Sequence, residues 1–345
     1  MNTFLVAVRA ATVLNCCLLC MAEPGFAQEP QGPFRKILKE RFLKKQQDLP
    51  APATDSDINA RISKPGDYNF SFEYGGVSRM YRIHVPPSYR VTNPTPLLVS
   101  FHGGGASMEY QATDKNYGQI SKSDKEGFVL VFPNGYSKFR SGKFATWNAG
   151  TCCGPARDEK VDDVGFVKQV IENVSGQLNI DQNRIFATGM SNGGMFAYRL
   201  ACEMSDTFKA IASVAGPDGT MSCTPKKPVS ILHIHARNDD HAQFEGGSGK
   251  KSMPGSLVTQ FTSVSQTISN WVKRNECNTA PKRVLDKPGA YCDEYTQCKG
   301  NVEVELCVTA SGGHSWPGAE KSRGDEPPST AISANDVMWE FFKSR

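Results

Sequence analysis

A serine set between two glycines, Gly189-Met190-Ser191-Asn192-Gly193, is the stretch of this chain best suited to chemistry. A serine hydroxyl is a weak nucleophile at neutral pH; it needs a backbone that presents it and a base that takes its proton. The apolar run Arg184-Ile185-Phe186-Ala187 precedes the pentapeptide, and a helical pattern from Gly194 to Glu203 follows it. Such a setting predicts a tight strand-to-helix turn that holds the Ser191 hydroxyl clear of the sheet. The glycines on either side keep side chains from colliding across the turn. The helix start aims backbone N–H groups, that of Asn192 among them, at the place where a negative oxygen would form. A chance match among 31 glycines is the competing reading, and the strand before and helix after weigh against it.

The base is sought among six histidines. His84 and His233 fall inside apolar strand patterns and read as satisfied sheet residues. His102 and His235 end strands, and His241 follows one closely. His314 comes after the run Val302 to Val308, in Ser311-Gly312-Gly313-His314-Ser315-Trp316-Pro317-Gly318, a bent loop able to swing an imidazole over a sheet edge. It also gives the nucleophile–acid–base chain order usual for a serine presented in this way. The acid that orients the base is expected just past a strand between Ser191 and His314. Val229 to His235 is that strand, and Asp239 and Asp240 follow it. Spacing does not choose between them. Asp206 and Asp218 read as turn residues, and Asp162 and Asp163 as helix starts. Donors for the oxyanion are offered where Leu97 to Phe101 runs into His102-Gly103-Gly104-Gly105, because residues without side chains let backbone N–H groups approach a substrate. No Lys-Ser/Thr pair follows these glycines, which excludes a phosphate cradle.

These groups need a scaffold that brings strand ends together. Asn69 to Tyr74 and Arg79 to Val85 alternate around Gly75-Gly76, predicting an antiparallel hairpin. Continuous apolar runs follow at Leu97 to Phe101, Phe128 to Phe132, Ile185 to Thr188 and Val229 to Ile234, as expected for strands buried on both faces. Between them lie helical patterns, the clearest through Val164, Phe166, Val167, Val170, Ile171, Val174 and Leu178, with Asp162 or Asp163 suited to its N-cap. Another runs through Val258, Phe261, Val264, Ile268, Trp271 and Val272, and a last helix is expected over Ala331 to Lys343. The fold class is therefore α/β: a mostly parallel central sheet with helices on both faces and antiparallel N-terminal strands. In such sheets catalytic groups sit just past the carboxyl ends of strands.

Composition narrows the partners. The net charge of +4 in 345 residues is accounted for by one segment, where Arg35, Lys36, Lys39, Arg41, Lys44 and Lys45 face only Glu40 and Asp48. The remainder is balanced, which argues against nucleic acid as a partner. Arg9 followed by the apolar stretch Ala10 to Ala22 and by Gly25-Phe26-Ala27 reads as an export signal over residues 1–27, cleaved after Ala27. That stretch is too short to span a membrane. Residues 28–65 read as a basic leader, and 66–345 as one catalytic domain acting as a monomer. The signal carries Cys16, Cys17 and Cys20. The other eight cysteines suit disulfides in an exported chain. Cys292 and Cys307 fall opposite each other if Lys299-Gly300 makes a two-residue turn, and Cys298 then reaches back to Cys277. The last four would staple the Cys152-Cys153 loop to Cys202 and Cys223. No ligand spacing points to zinc, and neither metal nor organic cofactor is implied.

Taken together, the motifs resemble the polyhydroxybutyrate-depolymerase-like esterases, a branch of the α/β hydrolases that includes bacterial feruloyl and acetylxylan esterases. The resemblance runs from about Gly66 to the C-terminus. Its landmarks are His102-Gly103-Gly104-Gly105, Phe132-Pro133-Asn134-Gly135, Trp147-Asn148 with Cys152-Cys153-Gly154, Asp162-Asp163-Val164-Gly165, the serine turn, Leu200-Ala201-Cys202 and Gly313-His314-Ser315-Trp316. It implies a triad of Ser191, Asp239 and His314, with Gly104 and Asn192 as oxyanion donors. The family's His-Gly-Thr-x-Asp run stands here as His235-Ala236-Arg237-Asn238-Asp239, and that register favours Asp239 over Asp240. His102, Trp147 and Trp316 are candidate substrate-binding residues, the tryptophans as a flat apolar wall. The expected function is an exported serine carboxylesterase acting on 3-hydroxybutyrate or related polyhydroxyalkanoate (oligo)esters. Feruloyl or acetylxylan esters of plant polysaccharide are the alternative, and a non-catalytic binding protein of the same fold ranks below both.

Overall fold

The computed structural model describes residues 61–248, 260–320 and 326–345. The expected export signal, and the leader as far as residue 60, lie outside the described residues. Among the described residues, ten strands form one sheet: β1 (Gly66–Tyr74), β2 (Val77–Val85), β3 (Thr95–Phe101), β4 (Val129–Pro133), β5 (Ile180–Met190), β6 (Ala210–Val214), β7 (Ser230–Ala236), β8 (Lys282–Lys287), β9 (Ala290–Tyr295) and β10 (Val304–Thr309). Their spatial order is β1-β2-β4-β3-β5-β6-β7-β10-β9-β8. The six central strands, β4 to β10 in that order, are mutually parallel, and an antiparallel hairpin closes each edge. The α/β class and the antiparallel N-terminal strands are as the sequence implied. β6, whose run Ala210-Ile211-Ala212-Ser213-Val214 is short and small, was not among the expected strands.

Continuous apolar runs become central strands because alternate residues feed two separate cores. On β3, Leu97, Val99 and Phe101 enter the layer beneath one set of helices, while Leu98 enters the opposite layer. The short helices α1 (Met108–Gln111), α2 (Asp114–Tyr117), α3 (Gln119–Glu126) and α4 (Gly154–Asp158) shape the loops after β3 and β4. The long helices cover the faces: α5 (Asp163–Gln177), α6 (Asn192–Glu203) and α7 (Val264–Arg274) on one, α8 (Ala334–Lys343) on the other. Each large side chain buried in these layers contributes about 1.5–3 kcal/mol. Trp339 against Phe128 (ring centres 4.3 Å apart) and Phe342 against Phe186 (4.6 Å) fasten α8 to its face.

Helix starts follow capping chemistry. The Asp162 carboxylate accepts the Gly165 N–H at 2.9 Å and caps α5. Its neighbour Asp163 turns inward, fully buried, to pair with Arg79 at 2.7 Å. Ser263 caps α7. That helix starts later than its apolar pattern suggested, because Phe261 is held in a β-bridge with Gly247; Val258 lies outside the described residues. Ser333 likewise starts α8 at Ala334. No helix among the described residues is long and apolar enough to cross a membrane.

Two disulfides agree with expectation and one grouping does not. Cys292 faces Cys307 in the β9–β10 register and bonds to it, and Cys277 bonds Cys298. The connection is wider than a two-residue turn. Cys298 is tied to Cys277 and the Lys299 N–H donates to Asn275 O, which draws residues 296–303 off the ladder. The staple between the Cys152-Cys153 loop and Cys202 and Cys223 is absent: Cys202 bonds Cys223, and Cys152 bonds Cys153. Helix length is the reason. Cys152 Sγ lies 3.7 Å from Asn192 Nδ2 at the start of α6, and Cys202 sits ten residues on, roughly 15 Å along the axis.

Candidate active site

Ser191 sits at the junction of β5 and α6 with φ +55° and ψ −121°. A non-glycine residue at positive φ persists only where its surroundings impose it. Here the Ser191 N–H donates to Val214 O at 2.8 Å, at the end of β6, while the Ser191 carbonyl accepts the Met195 N–H at 2.9 Å. The flanking glycines are required by contact. A Cβ on Gly189 would lie 2.4 Å from the Gly193 carbonyl carbon, and one on Gly193 would lie 2.3 Å from Phe101 O. The turn is thus wedged against the end of β3.

The glycine loop after β3 lies along the same turn. A Cβ on Gly103 would stand 3.6 Å from Ser191 Cβ, and one on Gly104 3.5 Å from Asn192 Cβ. Gly105 N–H is taken up by Ala145 O at 2.8 Å. Asn192 does more than its place in the motif suggested. Its Oδ1 accepts the Trp147 N–H (2.7 Å), and its Nδ2 donates to the Trp147 carbonyl (2.9 Å). One buried side chain thereby fastens the loop before α4 to the first turn of α6.

β7 and β10 are parallel neighbours, so the segments leaving their carboxyl ends emerge side by side. Asp239 follows β7, His314 follows β10, and His314 Nδ1 lies 2.8 Å from Asp239 Oδ2. Asp239 is the acid that meets the imidazole; its carboxylate is fully buried, whereas Asp240 is half-buried. Oδ1 of Asp239 accepts the N–H groups of His241 (2.8 Å) and Ala242 (2.9 Å). Burial alone would raise the pKa of this carboxyl. His314 and His235 outweigh that effect and hold it well below the ordinary carboxylate range. The loop carrying His314 is bent at Gly312 (φ +120°) and Gly313 (φ +56°). It is anchored by the Gly313 N–H to Asn238 Oδ1 (3.0 Å) and by the Ser315 hydroxyl to Gly312 O (2.6 Å). His241 packs its ring 4.6 Å from that of His314.

Three candidate substrate contacts are packing positions instead. His102 is fully buried; its Nδ1–H donates to Gly103 O, and its Nε2 accepts the Gly135 N–H, each at 2.9 Å. Trp147 is likewise buried, its ring stacked on Phe196 and its Nε1–H donated to His102 O at 3.0 Å. Trp316 is 1% exposed, edge-on to Tyr117 and bonded to Asn335 Oδ1. None keeps an open face for a ligand. Both tryptophans are packed inside the fold, where a large indole gains most from complete burial. The exposed aromatic near the glycine loop is Phe144, 57% exposed, one residue before the Ala145 that pairs with Gly105 and Ala106. Sequence reasoning also passed over His235, whose Nε2 lies 3.2 Å from Asp239 Oδ2. The spacing His233-x-His235, two inward positions on one strand, was the available signal.

A mostly parallel sheet with a serine turn after one strand, and an acid and a histidine after two neighbouring strands, defines an α/β hydrolase. The chain belongs to the Esterase family (described as "Putative esterase"), which matches residues 75–285. It is 29% identical over 238 residues to feruloyl esterase B of Piromyces equi, a match covering 67% of this chain and 42% of that protein. The chain thus spans under half of that relative's length. It is 26% identical over 278 residues to feruloyl esterase D of Neurospora crassa, covering 77% and 82%. Among solved structures, the acetyl xylan esterase from Aspergillus awamori superposes with a TM-score of 0.54 at 13% identity, over 80% of this chain and 99% of that one. That likeness shows the shared fold.

Proposed function

We propose that the chain cleaves carboxylic esters through an acyl-enzyme formed on Ser191. The observation that supports this most is the buried Asp239–His314 hydrogen bond, on loops leaving the same ends of the parallel strands as the positive-φ Ser191 turn. Because Nδ1 of His314 is engaged by Asp239, Nε2 is the nitrogen left to take the serine proton. Ser191 Oγ attacks the ester carbonyl as that proton moves to His314. The tetrahedral oxyanion is held by the N–H groups of Gly104 and Asn192. His314 then returns the proton to the departing alcohol, and Asp239 stabilises the imidazolium in between. Water, deprotonated by the same imidazole, releases the acid.

The substrate class we favour is hydroxycinnamoyl or acetyl esters carried on polysaccharide. The names of the related feruloyl esterases and the exposed Phe144 beside the glycine loop support it. The 3-hydroxybutyrate oligoesters expected from the sequence are the competitor in the same experiment. Turnover of methyl ferulate, acetylated xylan and 3-hydroxybutyrate oligomers is compared side by side, with Ser191→Ala and a serine-directed organophosphate as controls. Activity that survives both controls refutes the serine mechanism; preference for the oligomers refutes the substrate assignment. We also propose export through residues 1–27, consistent with four disulfides. The N-terminal sequence of protein recovered outside the cytoplasm tests it, with Gln28 the expected first residue.

A further inference from the structure

Behind the Asp239–His314 pair lies a line of buried side chains that the reaction as written does not use. Tyr198 Oη stands 2.9 Å from His233 Nδ1, His233 Nε2 stands 3.0 Å from His235 Nδ1, and His235 Nε2 lies 2.7 Å from Ala242 O and 3.2 Å from Asp239 Oδ2. All three side chains are at most 1% exposed. Proton bookkeeping gives the line a direction. Ala242 O has only lone pairs, so His235 Nε2 carries the hydrogen. With one hydrogen per contact, His235 Nδ1 accepts from His233 Nε2–H, and His233 Nδ1 accepts from the Tyr198 hydroxyl. Burial, with the second imidazole beside it, pushes the His233 pKa well below its ordinary value, in keeping with a neutral ring. Burial first, then Asp218, pushes the Tyr198 hydroxyl pKa well up, so it remains a donor.

We propose that His235 is a positioning residue of this esterase site, its tautomer set by Ala242 O and matched by His233 and Tyr198, so that its Nε2–H is shared with the Asp239 oxygen that His314 uses. The proposal rests on the serine-esterase reading above. Asp239 then receives three donors, two backbone N–H groups on Oδ1 and His314 on Oδ2, and Oδ2 also shares the single His235 Nε2–H, which lies nearer Ala242 O (2.7 Å) than Oδ2 (3.2 Å). The first pair fixes the plane of the carboxylate. His235 draws charge from Oδ2 and leaves the remaining lone pair aimed at His314, and its bond to Ala242 O ties down the turn that supplies the backbone donors. The groups that face this line are His241 and Asp239 beside His314, and Glu326 through Asn238. Arg237 stacks over Phe244 against His235, and Asp218 with Arg274 lies behind Tyr198.

The test uses His235→Leu, His235→Gln and Tyr198→Phe in the full-length protein. Loss of one shared hydrogen bond to a charged group predicts kcat lower by about tenfold in His235→Leu, with KM within about twofold because no substrate contact changes. The acid limb of the kcat/KM profile is expected to move to higher pH, since Asp239 with one donor fewer holds the His314 proton more tightly. His235→Gln returns an N–H near the Nε2 position and is expected to recover most of kcat and the limb. Tyr198→Phe should move the limb in the same direction by a smaller step. The downfield proton signal of the His314 Nδ1–H, read without turnover, should shift in His235→Leu and return in His235→Gln. An unmoved limb and signal in His235→Leu overturn the proposal, as does a Gln variant no better than Leu. If His235→Leu does not fold, an unmoved limb in Tyr198→Phe overturns it. Full activity of Ser191→Ala, by contrast, would sink the esterase mechanism while the proton signal still reported on His235.

Discussion

Replacing Asp239 by asparagine keeps volume and removes charge, and the structure says what the carboxamide must do. Two backbone N–H groups, from His241 and Ala242, point at Oδ1. The amide oxygen must take that place, because an NH2 there would face two donors. The NH2 then occupies the Oδ2 position, 2.8 Å from His314 Nδ1 and 3.2 Å from His235 Nε2. It is a donor where an acceptor is needed. His314 can meet it only by giving up its Nδ1 hydrogen and carrying one on Nε2, the nitrogen required to accept the serine proton. The wrong tautomer and the lost imidazolium stabilisation together predict a kcat lower by about 10⁴-fold, or ~5 kcal/mol of transition-state stabilisation. Asp240→Asn, on the half-buried neighbour, should change kcat by less than about threefold. The assay is steady-state hydrolysis of p-nitrophenyl acetate, with far-UV circular dichroism to confirm folding. A folded Asp239→Asn enzyme within tenfold of wild type would show that this carboxylate does not set the His314 tautomer.

Asn192→Ala leaves the buried Trp147 N–H without its partner and the Trp147 carbonyl with the Cys153 N–H alone, and should cost about 1–3 kcal/mol in denaturant unfolding, with a lower kcat as Trp147 loosens. Glu305 is pushed up to about 7 by burial, and by Glu294 opposite it and Glu303 nearby. A carboxyl raised on folding binds its proton more tightly in the native state, so stability falls as pH rises from about 4.5 to about 7 and is flat beyond. Glu305→Gln should therefore raise Tm at pH 8 but not at pH 4, a difference on the order of 1–3 kcal/mol; equal shifts at both values would contradict it. Reduction under non-denaturing conditions should lower Tm, because the Cys277–Cys298 and Cys292–Cys307 closures span 21 and 15 residues and each restrains the unfolded chain by about 3 kcal/mol. An unchanged Tm after verified thiol exposure would refute this.

What could be read from the sequence alone is local or periodic. The Gly-x-Ser-x-Gly turn was legible because only glycine fits at positions 189 and 193, where a Cβ would strike Gly193 and Phe101. The central strands were legible because burial on both faces leaves uninterrupted apolar runs, and the α5 start because Asp162 caps it. Even the Cys292–Cys307 pairing followed from counting outward from a turn. Tertiary structure decided what depends on elements meeting across the sheet. Asp239 rather than Asp240 faces His314 because β7 and β10 lie side by side, and strand spacing in the chain does not reveal which of two adjacent residues turns inward. His102, Trp147 and Trp316 proved to be buried packing because neighbours distant in sequence, such as Gly135, Phe196 and Asn335, close over them. The Tyr198–His233 contact joins a helix to a strand and was invisible for the same reason: local preference and periodicity are written in consecutive residues, whereas a hydrogen bond between distant residues exists only once the layers have packed.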